Sequence, residues 1–295
     1  MIRLALALIL AVTAAQAVDH LGRRRGLDPP GFRNPHRRVL ASVLLAFLFL
    51  IGIFIPAVHF DQLPEIDLES LRPSSIFFFQ TLLLAALALW LALGYLAVEG
   101  ESPAESASPT TADGGQRRRH LLSVFGLRCR DPFTELALGS AAGLVAWGAV
   151  LTLVTALALF LKGVGGDRII GGQPPEMIVW MAGLPVALKL AISLSAGIVE
   201  ELFFRGFLQL RAGIGLSTFL FVCGHLGYGQ PFMLVGLTLL SLFYAFLVRW
   251  RGNIWAAVAA HAIFDAVQLL VVIPAALEAL EGGHGPAFLT ALGIC

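Results

Sequence analysis

Gly197-Ile198-Val199-Glu200-Glu201-Leu202-Phe203-Phe204-Arg205-Gly206 sets two adjacent carboxylates and a guanidinium in an otherwise apolar stretch. An ionised side chain in hydrocarbon costs about 3 kcal/mol or more, so such groups need partners or a wet cavity. The later apolar segments supply candidates: His225 in Phe221-Val-Cys-Gly-His225, then His261 and Asp265 in His261-Ala-Ile-Phe-Asp265. General-base-capable groups spread over three hydrophobic segments read as an active site buried in a membrane.

The surrounding composition sets the class. Of 295 residues, 58% are hydrophobic and 13% charged, about half the charged share of a soluble protein. The apolar residues fall in eight blocks, at 2–18, 39–58, 76–98, 135–161, 177–204, 213–229, 232–249 and 253–274. Each is close to the ~20 residues that cross a hydrocarbon core as helix. The charged stripes of a soluble amphipathic helix are nearly absent from them. The expected fold is all-α, a polytopic transmembrane helical bundle of about eight spans.

The net charge of +1 is uninformative, but its distribution is not. With the first block starting outside and the spans alternating, fifteen arginines fall inside: Arg23, Arg24, Arg25, Arg33, Arg37, Arg38, Arg117, Arg118, Arg119, Arg128, Arg130, Arg205, Arg211, Arg249 and Arg251. Outside fall only Arg72, Lys162 and Arg168. The positive-inside rule then puts both termini outside. Arg3, an apolar run and Thr13-Ala-Ala-Gln-Ala17 also resemble a signal peptide. Cleavage of residues 1–17 would move the arginine cluster at 23–38 to the translocated side, and the charge count favours an uncleaved first helix. Cys129, Cys223 and Cys295 make no paired framework.

Residues 1–118 read as accessory helices plus an inside loop, 119–275 as the working core and 276–295 as a short outside tail. Residues 101–115 have the composition of disorder. Leu121–Leu127, apolar and flanked by arginines, suits a segment lying on the inner leaflet. In the fifth block Pro185 marks the start of the main helix, and Lys189, one turn on, is expected to snorkel outwards.

Glu201 and Arg205 are four residues apart and share a helix face, so their natural relation is an ion pair. Glu200 points about 100° away and faces other neighbours. A carboxylate in a low-dielectric cavity holds its proton more tightly, which suits a general base near neutrality. Asp265 lies one turn from His261 on the same face. The bland readings are acids in headgroup water and histidines as helix–helix hydrogen-bond donors; together the five groups outweigh them. Glu200, Glu201, His225, His261 and Asp265 are expected to converge on one cavity open to the inner side.

Gly-x-Ser-x-Gly, a phosphate-binding loop and His-Glu-x-x-His are all missing. Two routes stay open. Glu200, His225 and His261 could hold zinc or another divalent metal with a position left for water. In the metal-free route, which the lack of tightly spaced ligands favours, Glu200 and His225 polarise water while His261 and Asp265 stabilise the oxyanion. The absence of an internal repeat weakens a proton-coupled transporter.

Glu200-Glu201-Leu-Phe-Phe-Arg205-Gly206, Phe221-x-x-x-His225 and His261-x-x-x-Asp265 resemble the three motifs of the CPBP family, the CAAX-protease, Abi or Rce1-like intramembrane endopeptidases. Phe243–Trp255 also resembles family members, and the likeness covers about 120–275. It implies a membrane-embedded peptidase of a bacterial plasma membrane, with Glu200 as catalytic glutamate, His225 as its water-activating partner, and Glu201 with Arg205 as a structural pair. The implied partners are membrane lipid and a peptide or protein substrate, lipid-modified ones included, with no nucleic acid. Asp265 departs from the asparagine of many members; ionised, it cannot donate a hydrogen bond, so it would serve the oxyanion only when protonated, or else orient His261. The rival readings are a scaffold or bacteriocin-immunity protein on the same fold, and the transporter.

Overall fold

The computed structural model describes residues 1–59, 72–96, 121–165, 176–226 and 232–281. The stretch expected to be disordered, and the tail beyond 281, lie outside the described residues. Every apolar block falls on a helix, and the described residues contain no strand. In chain order these are α1 (Ile2–Arg24), α2 (Pro35–Phe49), α3 (Pro73–Leu91), α4 (Pro132–Gly163), α5 (Glu176–Ala182), α6 (Val186–Glu200), α7 (Ile214–Gly224), α8 (Met233–Arg251) and α9 (Trp255–Val267).

Local chemistry sets the ends. Asn34 caps α2 by accepting from the His36 and Arg37 amides, and Asp131 caps α4 by accepting from Phe133 and Thr134; both are followed by a proline at the first helical position. Pro185 caps α6, as its position in the sequence suggests. Gly252 closes α8 at φ 69°, a left-handed turn that glycine adopts without strain. Asn253 then accepts from the Trp255 amide to start α9.

Among the described residues six helices are long and apolar enough to cross a membrane: Ile2–Arg24, Pro35–Val58, Phe77–Tyr95, Pro132–Gly163, Met233–Arg251 and Trp255–Glu278. The other two expected spans differ for physical reasons. α6 is interrupted by charge at Lys189, Glu200, Glu201 and Arg205. α7 has eleven residues, so at 1.5 Å each it reaches only about half of a ~30 Å hydrocarbon core.

α9 lies at the centre of the back half because glycines let its neighbours approach. A Cβ added at Gly139 or Gly143 of α4 would come within 2.3 Å of the Ala256 carbonyl oxygen or 2.6 Å of that of Ala260. One at Gly197 of α6 would come within 2.8 Å of the Val258 oxygen. In a bilayer, helices associate through such close packing, since lipid tails are as apolar as leucine. Arg251 clamps the end of α8 to α4 with a two-pronged ion pair to Glu135, at 2.8 and 3.0 Å.

Beyond Glu200, α6 continues as a π-helix from Glu201 to Gln209 and a final turn, Leu210–Ala212. α1, α2 and α3 pack on its front through Phe49, Trp90, Phe203 and Phe207. Leu121–Leu127 packs on the bundle through one face: Val124 and Phe125 are buried, Phe125 stacks on Phe207, and the Gly126 carbonyl accepts from the Ile254 amide, while Ser123 is exposed. Lys189 is buried for most of its surface.

Candidate active site

The π-helix begins at Glu201, so the two glutamates straddle a change of helical geometry and go to different places. Glu201 is fully buried. Its Oε1 lies 2.8 Å from Nδ1 of His261 and 3.2 Å from the Arg205 guanidinium. The pair with Arg205 follows the sequence spacing; the bond to His261 does not, because it depends on Gly197 drawing α9 against α6.

Arg205 has an ion-pair partner and aromatic neighbours, although its Nη1 makes no hydrogen bond with the described residues. Its guanidinium lies 4.4 Å from the centre of the Phe221 ring, and Nη2 donates to Ser241 Oγ at 3.2 Å. His261 stacks on Tyr244 with centroids 5.0 Å apart and planes 17° from parallel. Its Nε2 faces Asp265 Oδ2 at 3.4 Å. Both ring nitrogens thus face carboxylate oxygens, and the ring serves both partners only with a proton on each nitrogen.

Glu200, one residue away, faces His225 of the chain just after α7, Oε2 to Nε2 at 4.0 Å. His225 Nδ1 donates to the Phe221 carbonyl at 2.7 Å. That bond fixes the tautomer and turns the Nε2 lone pair towards Glu200. Glu200 Oε2 is buried and makes no hydrogen bond with the described residues.

All six residues singled out in the sequence therefore belong to one cluster. It is closed rather than spacious: Glu201 and Arg205 are almost wholly buried, whereas the Asp265 side chain, 29% exposed, marks the open edge. Tyr244 and Ser241 of α8 are additions. The quoted run Phe243–Trp255 contains Tyr244, yet nothing in its spacing marks that residue as the wall of His261.

The metal reading fares less well. Among the described residues no three His, Cys, Asp or Glu side chains are grouped to hold an ion. His261, the third ligand of the candidate set, turns both nitrogens to carboxylates instead of to Glu200 and His225.

Residues 182–267 match the family described as type II CAAX prenyl endopeptidase, Rce1-like. Among curated proteins, the uncharacterized protein YpbD of Bacillus subtilis (strain 168) is 31% identical over 77 residues, 26% of this chain and 41% of that protein. The chain thus aligns with less than half of its curated relative. No solved structure matches it significantly. Glu200, Glu201, Arg205, His225, His261 and Asp265 all lie inside the segment that matches the Rce1-like family, and the long apolar helices beside them fit an integral membrane protein.

Proposed function

We propose that the chain is an intramembrane endopeptidase in which Glu200 and His225 activate water. One observation carries this reading: Glu200 Oε2 and His225 Nε2 face each other across 4.0 Å. That gap is too long for a hydrogen bond and short enough for one water to touch both groups. Both atoms are acceptors, which matches the two donors of a single water molecule.

Glu200 takes one proton as the water oxygen attacks the scissile carbonyl carbon. The carbonyl π electrons move to oxygen, giving a tetrahedral oxyanion. Collapse of this intermediate breaks the C–N bond, and Glu200 returns the proton to the leaving amine. His225 orients the water and accepts its second hydrogen bond. The doubly protonated His261, held by Glu201 and Asp265, supplies positive charge near the developing oxyanion. Asp265 acts as an acceptor that orients His261, which suits an aspartate at this position better than hydrogen-bond donation does. The family description brings prenylated carboxy-terminal peptides forward as the first substrate class to try.

The test is cleavage of a peptide library, prenylated members included, by the purified protein. Glu200→Gln should keep the fold and lose about 10²–10⁴-fold in rate, because the amide cannot accept the proton. Near wild-type activity in that variant would reject the assignment and favour a scaffold.

A further inference from the structure

Residues 121–127 lie outside the segment that matches the family, yet they touch both helices that make the Glu201–His261 contact. Residues 121–124 form one helical turn, which Gly126 ends at φ 64°. The Gly126 amide donates to the Ser123 carbonyl at 3.1 Å and the Leu127 amide to the Leu122 carbonyl at 2.8 Å, the paired bonds of a glycine-closed helix end. This left-handed turn frees the carbonyls of Gly126 and Leu127 for the start of α9. Gly126 accepts from the Ile254 amide at 2.9 Å, and Leu127 accepts from the Trp255 indole N–H at 3.0 Å. A helix start leaves its first amides without partners inside the helix, and the Gly126 carbonyl serves the one at Ile254.

The same segment is also seated on the π-helix. A Cβ added at Gly206 would come within 2.6 Å of the Phe125 carbonyl oxygen, so the two backbones meet where only glycine fits. The Phe125 ring stacks on Phe207, with centroids 6.2 Å apart and planes 16° from parallel, and meets Trp90 of α3 edge-on at 6.2 Å. Val124 and Phe125 are buried. Glu201 is thus bracketed by two ties to α9. On its N-terminal side Gly197 admits the α9 backbone directly. On its C-terminal side Gly206 admits a segment that is itself bonded to α9.

We propose that residues 121–127 are a strap that fixes the spacing of Glu201 from His261, with Gly206 and Trp255 as positioning residues. The Glu201–His261 hydrogen bond is 2.8 Å long and joins two helices; a relative shift of about 1 Å takes such a bond out of range. The strap acts on that distance because it is bonded to α9 at Ile254 and Trp255 and packed on the π-helix at Gly206 and Phe207. Through Glu201 it sets how His261 is aimed at the developing oxyanion. Its effect on rate rests on the peptidase reading, and its effect on the Glu201–His261 contact does not.

Two variants loosen the strap from opposite sides. Trp255→Phe keeps an aromatic ring and deletes the donor to Leu127, and Gly206→Ala drives a methyl group against the Phe125 carbonyl. The full chain in detergent micelles is read in three ways: the unfolding midpoint, kcat and KM for a peptide that the wild type cleaves, and nitrogen NMR spectra of isotope-labelled histidine. The His261 signals are assigned by their loss in His261→Gln, and in wild type they should be those of a ring protonated on both nitrogens. In both variants those signals should shift or divide. With KM within about two-fold of wild type, kcat should fall about 100-fold in Gly206→Ala, as a ~1 Å misplacement implies, and about 10-fold in Trp255→Phe. If Gly206→Ala fails to fold, Trp255→Phe carries the comparison. If wild type cleaves no peptide, the peptidase reading fails and the histidine spectra alone decide. A lower midpoint with unchanged His261 signals and wild-type kcat would make the strap a stabiliser only and overturn the proposal, as would a change in KM alone.

Discussion

Arg205 and Arg211 lie on one continuous helix, six positions apart, each with a side chain almost wholly buried. Arg205 has a carboxylate at 3.2 Å, a serine hydroxyl at 3.2 Å and an aromatic face at 4.4 Å. Arg211 has aromatic faces and a backbone carbonyl, with no carboxylate among the described residues. Arg205 thus has a counterion, and Arg211 has none among the described residues. A paired guanidinium also holds the carboxylate that grips His261, which fixes geometry that chemistry at Glu200 would need.

Removing the counterion breaks the contrast most severely. Glu201→Gln puts Arg205 in the position of Arg211 and also weakens the hold on His261. We expect a loss of about 3–5 kcal/mol, the usual cost of breaking a buried pair from one side, read as a fall in the unfolding midpoint of the purified protein. A midpoint within a degree of wild type would mean that aromatic faces alone suffice for Arg205.

Prying α9 away from α4 should have a smaller effect confined to the back half. Gly143→Val forces a side chain against the Ala260 backbone and should cost about 1–3 kcal/mol. Gly148, one turn and a residue further along α4, has nothing within 4 Å of an added Cβ. Gly148→Ala should be neutral or stabilising by up to about 1 kcal/mol. Equal effects from the two would show that the close approach at Gly143 does not hold the site.

The smallest expected effect lies at the start of α4. Hydrogen bonds from the Thr134 hydroxyl, and from the Thr134 and Phe133 amides, hold the Asp131 carboxyl below its ordinary pKa. A depressed carboxylate contributes stability that is complete above the unfolded value, near 3.8, and is lost as pH falls through the lower folded one. Asp131→Asn should therefore flatten the acid limb of the midpoint–pH curve and leave neutral pH almost unchanged. An unaltered acid limb would remove the cap from the account.

Much of this was legible in the sequence because the signals are local. The apolar blocks, the Pro185 start, the Glu201–Arg205 pair and the approach of Asp265 to His261 all follow from spacing along one helix. The Glu201–His261 bond, the Tyr244 wall and the burial of Phe125 did not, since each joins residues distant in the chain. Gly139, Gly143 and Gly197 are what bring those elements together, and a glycine in an apolar run does not announce which neighbour it admits. The shortness of α7 was hidden for another reason: the block was extended to 229 through His225, Tyr228 and glycines that add little hydropathy, whereas the helix ends at Gly224.

The π-helix from Glu201 to Gln209 gives the chain slack. Each of its turns takes up roughly one residue more than an α-turn, so the stretch behaves like an insertion spread over nine positions. Deleting a single residue there would let it rewind as ordinary α-helix. Every group after it would then swing by about 100° relative to Glu200, with Gly213, at φ 90°, as the joint that takes up the turn. The same slack lets the two ends of the helix be tuned separately. Length changes in this stretch among related chains would re-aim Arg211 while leaving the glutamates where they are.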